Sequence, residues 1–223
     1  GLLLSGRNGV RFTGGATIKY TALTSLVLPD SGNKVGFKFI TCVDCGISNI
    51  RFDGNSISVH PVGITASTDC YVEKSEIFAF DIPAIHTINN DRTRVSDNYI
   101  HDGGSGAQGI WLGNYGASLL ERDVLVYGNT VIDLSGSAIV LSSMGGRCFG
   151  NHAQVNGAAG SGIIFGGAVG YASSDLTISN NVCRGNPFHG IQGDTIYTSD
   201  ADLSRNITIS FSLQVPLNPS SVF

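Results

Sequence analysis

Six copies of one short pattern constrain this chain more than anything else in it. Each copy spells an apolar residue, two spacers, a central residue, one more spacer and a second apolar residue. Four copies, at 95–100, 126–131, 148–153 and 178–183, carry Asn98, Asn129, Asn151 and Asn181 at the centre, while 47–52 and 72–77 carry Ile50 and Ser75. Some 13 to 17 residues after each start comes a small residue followed by Ile: Gly63-Ile64, Ala84-Ile85, Gly109-Ile110, Ala138-Ile139, Gly162-Ile163 and Gly190-Ile191. The step averages about 26 residues, a period that belongs to solenoids and stacked arrays.

Within a copy the apolar residues alternate, as in Leu176-x-Ile178 and Val124-x-Val126, which is the period of a strand. Gly and Asn interrupt every 6 to 10 residues, so the strands must be short. One coil is therefore a short strand, a tight turn at the Asn, a second strand, a loop and a third strand. The Asn is expected to take the left-handed turn conformation itself. Stacking such coils at the strand spacing of about 4.8 Å places equivalent side chains in ladders. Cys45, Cys70, Thr93, Val124, Gly146 and Leu176 are expected to form one inward ladder. Ile47, Val72, Val95, Val126, Cys148 and Ile178 form a second, Phe52, Ile77, Ile100, Val131, Ala153 and Cys183 a third, and the Ile of each Gly-Ile pair a fourth. The Asn column is expected to satisfy itself through side-chain hydrogen bonds.

The turn Asn, the Gly-Ile strand and the coil length resemble the right-handed parallel β-helix of pectate lyases, mannuronan epimerases and phage tailspikes, over roughly residues 5–210. Residues 9–19, GVRFTGGATIK, resemble the first coil of such proteins. The resemblance implies an all-β fold: a single-stranded right-handed parallel β-helix of roughly eight coils with an Asn-rich turn ladder. It makes residues 1–223 one domain of a longer chain, with an irregular segment at 204–223. It also implies a polysaccharide-acting protein at the cell exterior or a virion surface, assembled as a parallel homotrimer.

The composition agrees with one elongated apolar-cored domain. Only 13% of residues are charged, the net charge is −4, and no basic stripe is present to neutralise phosphates, so a nucleic-acid partner is not expected. The apolar runs are too short for a helix to span a bilayer, so membrane insertion is not expected either. Among the five Cys, Cys45 and Cys70 share a ladder position, close enough for a bridge; buried reduced thiols are the alternative. Cys42, Cys148 and Cys183 show no metal-ligand spacing, and neither metal nor cofactor is expected.

Chemistry is expected on the outer face of the Gly-Ile strand. Its outward column is read as Thr65, His86, Trp111, Val140, Ile164 and Gln192, beside a row of small residues that leaves a trough. The connections that follow the strand carry Trp111, Tyr115, Glu121, Tyr171, Asp194 and Tyr197, which with Gln192 are the candidate sugar-binding residues. Aromatic rings beside a groove stack on the apolar faces of sugars; pinning their own loops is the alternative role. The segments entering the strand carry Asp81, then His101 and Asp102, then Asp133. Asp102 and Asp133 share one repeat register, about 5 Å apart at the backbone. Two carboxylates at that separation suit retaining glycoside hydrolysis, and Asp81 with Asp133 suits the wider inverting spacing. Asp following a strand also commonly caps its own turn. His86 with Asp81 offers a different chemistry, proton abstraction beside a uronate. The segment 80–86 faintly resembles the Asp-Pro-His motif of mannuronan epimerases, departing by one residue between Asp and Pro and two between Pro and His. Three functions are thus in play: hydrolase, lyase or epimerase, and a glycan-binding or structural body without catalysis.

Overall fold

The computed structural model describes residues 1–22, 26–28, 33–113, 121–157, 160–166, 174–185, 189–193 and 202–209. They form three parallel sheets of eight strands each, with no helix among the described residues. Sheet A runs from Leu2–Ser5 through Val35–Ile40, His60–Thr65, Ile85–Ile88, Ile110–Leu112, Ile139–Leu141 and Ile163–Phe165 to Ile191–Gly193. Sheet B runs from Arg11–Thr13 to Asp202–Ser204, and sheet C from Thr17–Lys19 to Ile207–Ile209. Every coil contributes one strand to each sheet in the order A, B, C, giving eight coils of a right-handed parallel β-helix. The last strand of sheet C enters the segment expected to be irregular; residues 210–223 lie outside the described residues.

The interior is a stack of ladders. Ile47, Val72, Val95, Val126, Cys148 and Ile178 pair in sequence along sheet B. Phe52, Ile77, Ile100, Val131, Ala153 and Cys183 do so along sheet C. All of these are fully buried, and each large aliphatic one contributes roughly 1.5–3 kcal/mol of burial. The ladder on sheet A differs from expectation in one coil. Val62, not Ile64, pairs with Ile85, and Ile64 pairs with Thr87. All five cysteines are free and buried; the Cys45 and Cys70 thiols lie against the carbonyls of Arg7 and Thr68 at 3.4 and 3.6 Å.

The turn between sheets B and C explains the Asn repeat, by a mechanism other than the one expected. The left-handed residue is the one before the Asn: Lys74, Asp97, Gly128, Gly150, Asn180 and Arg205 have φ between 49° and 65°. The Asn side chains point inward and are buried. Each amide oxygen accepts the backbone N–H and side-chain N–H of the Asn one coil before it, at 2.9–3.1 Å, from Asn98 through Asn129, Asn151 and Asn181 to Asn206. Ser75 and Ile50 begin the same ladder. Asn fits here because one buried side chain must both donate and accept.

Candidate functional site

The outward column on sheet A, read from the strand register, is Lys38, Gly63, His86, Trp111, Val140, Ile164 and Gln192. Gly63 takes the place expected for Thr65, because the chain enters this strand two residues earlier than the repeat implied. The expected row of small residues does not line a trough. Ala84 and Ala138 are part of the core, and a Cβ at Gly109 or Gly162 would strike the inward side chains of Val131 or Cys183. These residues relieve crowding where the chain enters the strand.

The two halves of the column differ. Over the first half an arm folds back: Val27 bridges Lys34 antiparallel, and Leu28 and Val35 pack with Ile88 in a small outer cluster. A Cβ at Gly63 would lie 2.8 Å from Val35 and 3.1 Å from Leu28, so the arm needs glycine there. Lys38 is 9% exposed and its ammonium donates to the Val27 carbonyl at 2.5 Å. His86 is 2% exposed, its ring 4.9 Å from that of His60 and stacked 5.0 Å from Trp111 at 21°. Over the second half no such arm lies among the described residues. Gln108, Trp111, Ser137, Val140, Ile164 and Gln192 line a groove of about 340 Å³. At its end the Ser161 hydroxyl donates to the Gln192 amide oxygen at 3.0 Å.

His86 therefore does not project into the groove as expected. Burial drives its pKa down to about 4, against an opposing contribution from the Gly113 backbone, and holds the ring neutral. The Trp111 indole nitrogen has no hydrogen-bond partner among the described residues. A base must reach the proton it removes, and His86 is enclosed.

Asp102 and Asp133 occupy the same corner of successive coils, with left-handed φ of 55° and 56°, a conformation Asp tolerates better than most residues. Their partners differ. His101 Nδ1 lies 2.8 Å from the Asp102 carboxylate, and its Nε2 lies 3.2 Å from Glu76. Glu76 in turn accepts from Arg51 at 2.6 Å, and Tyr99 and Phe78 flank the His101 ring at 4.3 and 5.5 Å. Asp133 accepts from the Asn156 amide at 2.9 Å. Asp81 packs over Gly104 so closely that a Cβ there would collide with its carboxylate. None of these acids is among the residues lining the groove.

Glu121 is a correction. Expected in an exposed loop, it begins a strand of sheet B and is fully buried. It accepts from the Asn90 amide at 3.0 Å and the Thr93 hydroxyl at 3.2 Å. Asn90 in turn accepts from Ser67 N–H at 2.7 Å, and Ser67 from Cys42 N–H at 3.0 Å. A second polar ladder thus runs along the turn between sheets A and B and ends in a carboxyl. Burial raises the Glu121 pKa to about 8, against several hydrogen bonds that pull it down. Trp111 and Gln192 both line the groove. Tyr115, Tyr171, Asp194 and Tyr197 lie outside the described residues. Gln108, Ser137 and Ser161, which sequence reasoning missed, sit just ahead of the Gly-Ile pairs; the repeat marked that position but did not show which way it faced.

No protein-family model matches the sequence, and no curated protein sequence matches it. Solved structures do. A glutamate-to-glutamine variant of the tailspike protein of E. coli bacteriophage HK620, in complex with a hexasaccharide, superposes with a TM-score of 0.58 at 15% identity, covering 91% of this chain and 38% of that one. A second variant of that tailspike gives 0.54 at 14% identity with the same coverage. A third, bound to a pentasaccharide, gives 0.51 at 15% identity over 90% of this chain and 38% of that one. The chain thus spans little more than a third of the length of these tailspikes, and at such identities the likeness is one of fold.

Proposed function

We propose that this β-helix is the saccharide-binding body of a polysaccharide-acting protein at a virion surface or outside the cell. The observation that carries the reading is the groove in the second half of the sheet A column. It presents an indole and two aliphatic side chains as a floor, with amide and hydroxyl groups at the rim. A sugar ring offers the matching surface, apolar on its faces and hydroxylated at its edge, and aromatic side chains contribute large contact area with a defined geometry. The fold shared with tailspikes that were solved with bound oligosaccharides supports the same reading. Screening the chain on an array of bacterial surface glycans tests it. A specific ligand is expected, with binding weakened at least tenfold by Trp111→Ala; binding that ignores this substitution would place the site elsewhere.

Cleavage extends the reading. Asp102 and Asp133 stand at equivalent corners of adjacent coils, where the strand spacing of about 4.8 Å is close to the separation of about 5 Å that retaining hydrolysis uses. These acids lie on sheet C, outside the groove lining, so with a polymer long enough to reach that corner Asp102→Asn and Asp133→Asn are each expected to lower release of reducing ends by at least 100-fold. Release unchanged in both variants would leave binding without hydrolysis by this pair.

A further inference from the structure

We infer that the groove selects uncharged glycans and rejects acidic ones, such as polyuronates and polysialates. This rests on the reading of the groove as a saccharide site and adds the class of sugar it takes. The six residues lining the groove are two glutamines, a serine, a tryptophan, a valine and an isoleucine, none of them charged. The cation of the same column, Lys38, stands three coils before Trp111, about 14 Å away by strand spacing. It is buried under the arm and engaged by the Val27 carbonyl. His86, the neighbour of Trp111, is enclosed and held neutral by that enclosure. The connections that follow these strands add no cation by sequence: 114–120 and 167–173 contain no charged residue, and 194–200 contains only Asp194 and Asp200. Three arginines on the outer faces of sheets B and C are engaged by carboxylates, Arg51 with Glu76, Arg92 with Asp69 and Arg94 with Glu73.

The physical consequence is asymmetric. A neutral sugar on this floor exchanges water for amide and hydroxyl hydrogen bonds and buries its apolar face. A carboxylate on the same floor loses part of its hydration and meets no counter-charge among the six lining residues, which is costly near apolar surface. Selectivity then comes from what the site withholds from the wrong ligand. A uronate-processing enzyme needs the opposite arrangement, which weighs against a lyase or epimerase at His86.

The test is a binding screen of the chain against neutral and acidic bacterial polysaccharides, with each acidic hit repeated after carboxyl reduction. Neutral polymers are expected to bind at least 100-fold better than acidic ones, and carboxyl reduction is expected to strengthen any weak acidic hit. An acidic polymer bound in a Trp111-dependent way, and lost on carboxyl reduction, would overturn the inference while leaving the groove a saccharide site. Binding to no polymer of either kind would overturn the saccharide reading and the inference with it. Ile164→Lys, an outward substitution on the floor, gives a second measurement. It is expected to narrow the neutral-to-acidic preference at least tenfold, and an unchanged preference in the folded variant would contradict the charge argument.

Discussion

The early coils of sheet B and the later coils of sheet A present opposite kinds of outer surface, one crossed by ion pairs and the other apolar. On sheet B, Arg11, Arg92 and Arg94 pair with Asp44, Asp69 and Glu73 at 3.3, 2.7 and 2.9 Å, and Arg94 lies over the Tyr71 ring at 5.0 Å. They surround a hollow of about 450 Å³, larger than the groove of about 340 Å³ on sheet A. A ligand entering the sheet B hollow would have to break ion pairs to gain contacts. On sheet A the floor between Trp111 and Gln192 is largely apolar, and none of its lining residues is engaged in an ion pair among the described residues. The difference teaches that the better candidate site is set by unspent surface rather than by volume.

The largest expected effect is on what both faces share, the polar spine. Asn129→Ala removes donors to Val95, Tyr127 and Asn151 and the acceptor for Asn98. It leaves buried partners unsatisfied, a loss of about 3–5 kcal/mol. Denaturant unfolding should show that loss, and both faces should fail together; a loss confined to one face would mean that the coils are not coupled through this ladder.

The second effect separates the two ladders. The Glu121 pKa is raised from 4.5 to about 8, so its contribution is complete below 4.5 and disappears as pH rises to 8. The His86 pKa is lowered from 6.5 to about 4, so its contribution is present above 6.5 and is lost as pH falls to 4. Between 4.5 and 6.5 the two oppose each other, and above 6.5 only Glu121 changes. Stability should therefore fall by about 2 kcal/mol between pH 6.5 and 8. Glu121→Gln keeps an amide in the ladder and should flatten that slope, measured as melting temperature against pH; an undiminished slope would assign it to other groups.

The smallest effect is on sheet B. Arg94→Ala should cost about 1 kcal/mol or less, since half-exposed ion pairs and cation–π contacts are weak. It should leave glycan binding unchanged in a direct titration. A tenfold loss of binding would reverse the comparison and place the ligand on sheet B.

The coil, the three sheets and most ladders were legible because a periodic apolar pattern fixes register in a stacked fold. Legibility stopped where something non-periodic intervened. The arm through Val27 and Lys34 precedes a coil whose strand begins early, so Val62 and not Ile64 joins Ile85. Periodicity showed that His86 faces outward, and this was right, but an outward residue can still be covered by chain arriving from outside the coil. Glu121 is not legible from loop length, because a strand of sheet B begins at Glu121 itself rather than after it. Register would have found it: Arg122 aligns with Asp91, and Asp91 with Thr68, which puts Glu121 in line with Asn90 and Ser67. Asp102 and Asp133 were placed in one register by sequence, but the partners that hold them, His101 and Asn156, come from geometry.

Trp111 is the single tryptophan of the chain and lines the groove, so its emission reports occupancy directly. Titrating the chain with its best-binding neutral glycan while following that emission tests the central claim. A saturable change is expected, with the same dissociation constant as calorimetry gives. Calorimetric binding that leaves the emission of Trp111 untouched would contradict the account.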